Sequence, residues 1–269
     1  MTQVRNPAVA GTFYPGDAGE LRRVLRGFLA DAAPEAGRRP KALVVPHAGY
    51  IYSGTVAASA YATLRPYADA IRRVALFGPA HTMGFVGLAT SGADFFSTPL
   101  GDIPLDREII ARLELLPQVR RLDQAHALEH SLEVQLPFLQ ETLRDFTLVP
   151  IVAGDTGVEA VAEVIAQLWG GDETLILISS DLSHYLDYAT ASKMDRATSE
   201  AIEALDGARI GAGDACGRVP LRGFLQEAHQ RALRCQTLDQ RNSGDTAGPK
   251  DRVVGYGSYL FWQEEVGEP

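Results

Sequence analysis

The chain has 269 residues, 46% of them hydrophobic and 22% charged, which suits one large α/β domain or two small ones with a sizeable core. A formal net charge of −9 argues against nucleic acid or an anionic membrane as the main partner. No apolar run reaches the roughly 18–20 residues of a membrane span, and the opening "MTQVRNPAVAGTFYPGD" has no signal-peptide h-region, so the cytoplasm is the expected location.

In chain order, a helix is predicted over 17–30, where Leu21, Val24, Leu25 and Phe28 keep helical spacing and Asp17 with Glu20 resembles a capping box. The segment "DAAPEAGRRP" (31–40) is too short to divide domains. Strands follow at 41–46, 73–78, 147–153 and 174–180, each a near-continuous apolar run of the kind that helices cover on both faces. A better-alternating run at 253–262 reads as an edge strand, and a small hairpin is expected from 85–90 and 100–105. Helices are predicted at 54–64, 157–169, 191–205 and 219–233, and at 130–143 with a kink or restart at Pro137. The stretch 237–251 reads as a loop. Alternating strands and helices imply a single α/β domain with a central, mostly parallel sheet flanked by helices, and ligands of such sheets bind beyond the carboxyl ends of the strands.

The residues just past those ends are polar. His47 follows the first strand, in "VVPHAGYIYSG", and His81 the second, in "GPAHTMG". Asp155 follows the third, and Asp181 and His184 the fourth, in "SSDLSHY". Each alone is an ordinary turn or capping residue; together they favour a site. Tyr50, Tyr52 and Ser53 follow His47 as candidate pocket walls. Cys216, in "DACGRVPL", precedes a helix, a position that favours thiolate and hence metal binding or nucleophilic attack, against the equally weighted reading as a buried apolar residue. Cys235 reads as structural, and a disulfide between the two is not expected. In "HALEHSLEVQLPFL", His126 and His130 are four apart without the HEXXH order of zinc proteases; Glu129 and His130 are expected behind the ligands rather than among them. No GxGxxG, P-loop or GxSxG elbow is present.

The segments "NPAVAGTFYPGD", "PHAGYIYSG", "GPAHTMGF", "EHSLEVQLPFL", "SSDLSHY" and "CGRVP" resemble, in order and from residue 6 to about 260, the Memo family, which includes the bacterial AmmeMemoRadiSam system protein B. The resemblance implies a fold similar to the class III extradiol (LigB-type) dioxygenases, which bind non-haem Fe(II) through two histidines and a carboxylate. Carried onto this chain it implies His47, His81 and Cys216 as metal ligands, with His184 as acid/base residue and Asp181 in the same pocket. A thiolate in place of the carboxylate is a softer donor, so copper and zinc stand beside Fe(II), and Asp181 remains an alternative third ligand. The family name implies an AMMECR1-like protein and a radical SAM enzyme as partners, beside a small-molecule substrate. Two other classes stay open: a peptide- or ligand-binding module using the same pocket, and a zinc-dependent hydrolase.

Overall fold

The computed structural model describes residues 2–32 and 37–264; part of the 31–40 segment therefore lies outside the described residues. In chain order the elements are β1 (Val4–Arg5), α1 (Ala18–Asp31), β2 (Ala42–Val45), α2 (Tyr50–Tyr61), β3 (Arg73–Pro79), β4 (Leu88–Thr90), β5 (Phe95–Thr98), β6 (Gly101–Pro104), α3 (Arg107–Leu113) and β7 (Val119–Arg121). Then come α4 (Asp123–Ala127), α5 (His130–Glu133), α6 (Leu136–Thr142), β8 (Thr147–Ala153), α7 (Val158–Leu168), β9 (Thr174–Ser179), β10 (His184–Leu186), α8 (Tyr188–Glu203), α9 (Arg218–Gln230), β11 (Arg234–Asn242) and β12 (Val253–Trp262).

The four apolar runs become the centre of the large sheet. They lie side by side and parallel in the order β2-β9-β3-β8, and their residues are almost all buried, as their composition demands. The chain leaves β2 through α2 and skips one place to reach β3. It leaves β8 through α7 and skips back to β9. Right-handed crossovers in opposite directions put their helices on opposite faces, with α1, α2 and α6 packed together in one layer and α7 and α9 in the other. The reversal of direction lies among the carboxyl ends of β2, β9 and β3, where a crevice opens.

The sheet as a whole is mixed rather than mostly parallel. Its order is β10-β12-β2-β9-β3-β8-β4-β7, with β11 also on β12. The pairs β12–β2, β11–β12, β10–β12 and β4–β8 are antiparallel. Nor is β12 an edge strand: it is buried between β2 and β11. The residues 234–242, "RCQTLDQRN", form the strand beside it, so the loop expected from 237 begins only after Asn242. A half-buried strand needs no apolar run, which is why this one gave no hydrophobic signal. The hairpin is also displaced. It joins β5 to β6, with β1 parallel to β5, while β4 joins the large sheet.

Helix ends follow local chemistry. Asp17 Oδ1 accepts from the Glu20 amide at 2.8 Å to start α1, and Asp187 does the same for α8. The predicted 130–143 helix is broken into α5 and α6, with Pro137 in the first turn of α6, where its missing N–H is harmless. No helix among the described residues is long and apolar enough to cross a membrane.

Candidate metal centre

At the carboxyl ends of β2, β3 and β9 the chain builds a pocket of about 540 Å³. His47 stands at its floor, 1% exposed. Its backbone N–H donates to Asp181 Oδ1 at 2.7 Å, and its ring Nδ1 lies 2.9 Å from Ser179 Oγ.

The protons in this buried network can be assigned. The Ser179 hydroxyl lies 2.6 Å from the Ser131 carbonyl, which only accepts, so Ser179 donates there. Gln135 Nε2 donates to the Pro46 carbonyl at 3.0 Å and to Ser179 Oγ at 2.8 Å, and Tyr61 donates to Gln135 Oε1 at 2.7 Å. Ser179 Oγ is then left as an acceptor toward His47. The histidine is held as the Nδ1–H tautomer with its Nε2 lone pair facing the pocket. Burial, reinforced by His81, His130 and His184, holds the imidazole well below its usual pKa and therefore neutral.

His81 is fixed by a carboxylate. Its Nδ1 lies 2.8 Å from Glu129 Oε1, and its backbone N–H donates to Glu129 Oε2 at 2.6 Å. Burial pushes the Glu129 pKa up. The hydrogen bond and charge of His81, with backbone N–H groups of His81 and Ser131, outweigh it and carry the pKa down to about 2. Both carboxylate oxygens are thus spent on the protein, and Glu129 orients His81 from behind. His130 stacks on His81 at 4.6 Å between ring centroids and meets His47 edge-on at 5.4 Å.

The segment carrying Glu129 and His130 is itself anchored. Glu133, fully buried, accepts from the Arg5 guanidinium, from the Tyr14 hydroxyl at 2.6 Å and from the amides of Ala8 and Val9. Arg5 donates further to the carbonyls of His126 and Glu129. This ties residues 5–14 to α5 and brings Phe13 into the pocket wall, 4.8 Å from His130. At Gly78, a Cβ would lie 2.6 Å from Ser131 Oγ, so the close approach of α5 to β3 requires glycine.

Cys216 arrives from the turn before α9. A Cβ at Gly217 would lie 2.6 Å from Ser180 Cβ, and its absence lets this turn sit against the end of β9. Sγ lies 3.2 Å from His47 Nε2 and accepts from the Asp181 amide at 3.2 Å. The helix-start position does not make it a thiolate by itself: burial, with the charge of Asp181, pushes the thiol pKa up. A metal ion is the agent that would deprotonate it.

Ligand atoms of His47, His81 and Cys216 all lie within 4.8 Å of one another. Metal–nitrogen bonds of about 2.0–2.1 Å and metal–sulfur bonds of about 2.3 Å place two ligands roughly 3–4 Å apart, so the donor set fits a metal after small side-chain movements. His81, Glu129 and His130 form a second close group, but the engaged oxygens of Glu129 leave it little to offer a metal.

A family model for Memo-like proteins matches residues 5–260 of this chain. The chain belongs to the Memo family. A MEMO1 family protein of Aquifex aeolicus is 36% identical over 270 residues, covering 96% of this chain and 99% of that protein. One from Methanosarcina acetivorans is 38% identical over 275 residues, with the same coverage. In fold alone, the chain resembles the crystal structure of an uncharacterized protein from Escherichia coli K12. The TM-score there is 0.53 at 12% identity, covering 83% of this chain and all of the other.

Within this Memo-family chain the remaining expected residues divide. Asp181 is buried in the pocket lining, its oxygen turned onto the backbone N–H groups of His47 and Ala48. Burial outweighs these bonds and raises its pKa to about 6. His184 lines the pocket, and its Nδ1–H donates to the Leu182 carbonyl at 2.8 Å, leaving Nε2 open. Tyr52 lines the pocket too. Tyr50 and Ser53 belong to the first turn of α2, bonded to the Val134 and Ala48 carbonyls, and do not. Asp155 stays exposed in a backbone bridge with Val86, outside the pocket. His126 is buried beneath Ala89, to whose carbonyl it donates at 3.0 Å, and makes no pair with His130. Ser179 and Tyr185 lie within "SSDLSHY" and Gln135 within "EHSLEVQLPFL", but nothing there singles them out from their neighbours. Tyr61, Arg252 and Tyr256 lie outside the quoted segments, and Tyr185, Arg252 and Tyr256 also line the pocket.

Proposed function

We propose that this Memo-family protein is a mononuclear metalloprotein, with Fe(II) the first candidate metal and copper or zinc the alternatives, acting on a small substrate in the pocket. The supporting observation is the convergence of His47, His81 and Cys216, with each imidazole Nδ1 already engaged and its other nitrogen left for the metal. The LigB-type likeness belongs to this reading: two histidines from the carboxyl ends of two parallel strands match that donor pattern, and Cys216 takes the place of the carboxylate. Bound there, iron or copper supplies a redox centre with open positions for small oxygen-bearing ligands, whereas zinc supplies a Lewis acid.

The chain's own groups supply the rest. His184 exchanges a proton with the substrate at Nε2, its Nδ1–H being held by the Leu182 carbonyl. Asp181 holds the end of β2 through the His47 amide, and its charge acts on His184 across the pocket. Phe13, Tyr52 and Tyr256 surround the substrate and restrict water.

The test is elemental analysis of anaerobically purified protein beside the His47→Ala, His81→Ala double variant. Stoichiometric iron, copper or zinc in the wild type, lost in the variant, is the expected result. No metal above the variant's level ends the reading. Oxygen uptake by iron-loaded protein with catechol-like compounds then tests the extradiol reaction itself.

A further inference from the structure

The mouth of the pocket carries a feature that metal binding does not use. Tyr185 has a φ of 61°, in the left-handed region that a tyrosine enters only at a cost. The β10–β12 register shifts between His184 and Leu186 at the same place. A regular strand would send the side chains of His184 and Tyr185 to opposite faces. The irregularity turns both onto the pocket, the usual effect of a bulge beside a site. The strained tyrosine is 62% exposed, so burial of its ring is not what holds it there.

Its ring has a specific companion. The Arg252 guanidinium lies over it at 4.5 Å from the centroid, on the residue just before β12, and Arg252 also lines the pocket. Among the described residues Arg252 has no hydrogen-bond or ion-pair partner. It is the one Lys or Arg among the residues that line the pocket. A guanidinium stacked on a ring keeps its N–H edge free, and that edge matches a carboxylate in bidentate fashion. The carboxylate on the pocket lining, Asp181, is spent on backbone N–H groups at the floor. Phe13, Tyr52 and Tyr256 complete an aromatic wall.

We propose that Arg252, braced by Tyr185, is the specificity-determining residue of the pocket and selects small planar ring compounds bearing one carboxylate. The carboxylate sits on Arg252 at the mouth, and the ring lies between the aromatic walls with its far edge toward the histidines. A single guanidinium without a second cation suits a monoanionic carboxylate better than a phosphate dianion, which gathers several donors. This inference rests on the reading of the pocket as a substrate site and names the substrate class.

Two probes test it: 4-hydroxybenzoate and its uncharged analogue 4-hydroxybenzamide, titrated by calorimetry into wild type, Arg252→Gln and Arg252→Lys. The wild type should bind the carboxylate at least about tenfold more tightly than the amide. Arg252→Gln should bring the two within about twofold by weakening only the carboxylate, and Arg252→Lys should restore part of the preference. Equal affinities in the wild type, binding of neither probe at millimolar concentration, or an undiminished preference in Arg252→Gln overturns the proposal. Phenyl phosphate is the third probe; tighter binding of it than of 4-hydroxybenzoate overturns the choice of a carboxylate. The titrations are run on metal-loaded and metal-free protein. Failure to bind metal ends the metalloprotein reading while the carboxylate preference remains measurable. Metal binding without that preference removes the role of Arg252 alone.

Discussion

His47 and His81 face each other across the pocket at 5.2 Å between ring centroids, and the protein holds them by different chemistry. Behind His47 runs a neutral relay of Ser179, Gln135 and Tyr61, all fully buried, in which every donor has an acceptor. Behind His81 stands an anion, Glu129, carried on a segment clamped by the Arg5–Glu133 ion pair. A neutral relay fixes tautomer and direction without changing charge. A carboxylate also makes the imidazole a stronger donor to a metal, and it makes the hold depend on pH. The difference teaches that one histidine is set by geometry and the other by geometry and charge together.

The largest effect should come from undoing the clamp on the His81 side. Glu133→Gln leaves Arg5 buried without its counter-charge and should destabilise the fold by about 3–5 kcal/mol, measured by urea unfolding. A loss under about 1 kcal/mol would mean that solvent reaches the pair.

Next comes pH, on metal-free protein. Glu129 has a lowered pKa, so its contribution is present above about 4.5 and lost as pH falls through about 2. Asp181 has a raised pKa, so the stability it contributes is present below about 3.8 and lost as pH rises through about 6. Each is worth about 3 kcal/mol across its range. Asp181→Asn should therefore gain on the wild type as pH rises from about 4 to about 7, whereas Glu129→Gln should fall further behind it as pH rises from about 2 to about 4.5. Melting curves across the range would show it; a pH-independent difference for Asp181→Asn would contradict the assignment.

Metal affinity sharpens the comparison more finely. Glu129→Gln should weaken metal binding by about 10–100-fold. Ser179→Ala should weaken it less, and should instead lower stability by about 1–3 kcal/mol, because a His47 N–H and a Gln135 N–H lose their acceptor. Competition with a chelator separates the two variants, and equal losses of affinity would dissolve the distinction between relay and carboxylate. Smallest is Tyr61→Phe at the far end of the relay, with a loss of about 1 kcal/mol and unchanged metal affinity.

The parts of the molecule that sequence exposed are those with a local signature. Continuous apolar runs marked the four parallel strands, and the polar residues just past them marked His47, His81, Asp181 and His184. Pro137 marked the break between α5 and α6. What stayed hidden depends on distant pairing. The half-polar β11 is a strand because β12 runs beside it. Gln135 meets Ser179 and Pro46 across separations of 44 and 89 residues, and Arg5 meets Glu133 across 128. Tyr185 reaches the pocket through an irregular register that no side-chain pattern announces.

The pocket walls come from both ends of the described chain: Phe13 is held in place through Glu133, and Arg252, Val254 and Tyr256 accompany β12. Synthesis runs from the N-terminus, so residues 5–14 must wait for about half of the chain before Glu133 can anchor them. The opposite wall waits until β12 has left the ribosome and slipped in beside β2. A chain interrupted before β12 thus carries the histidines but no enclosed pocket.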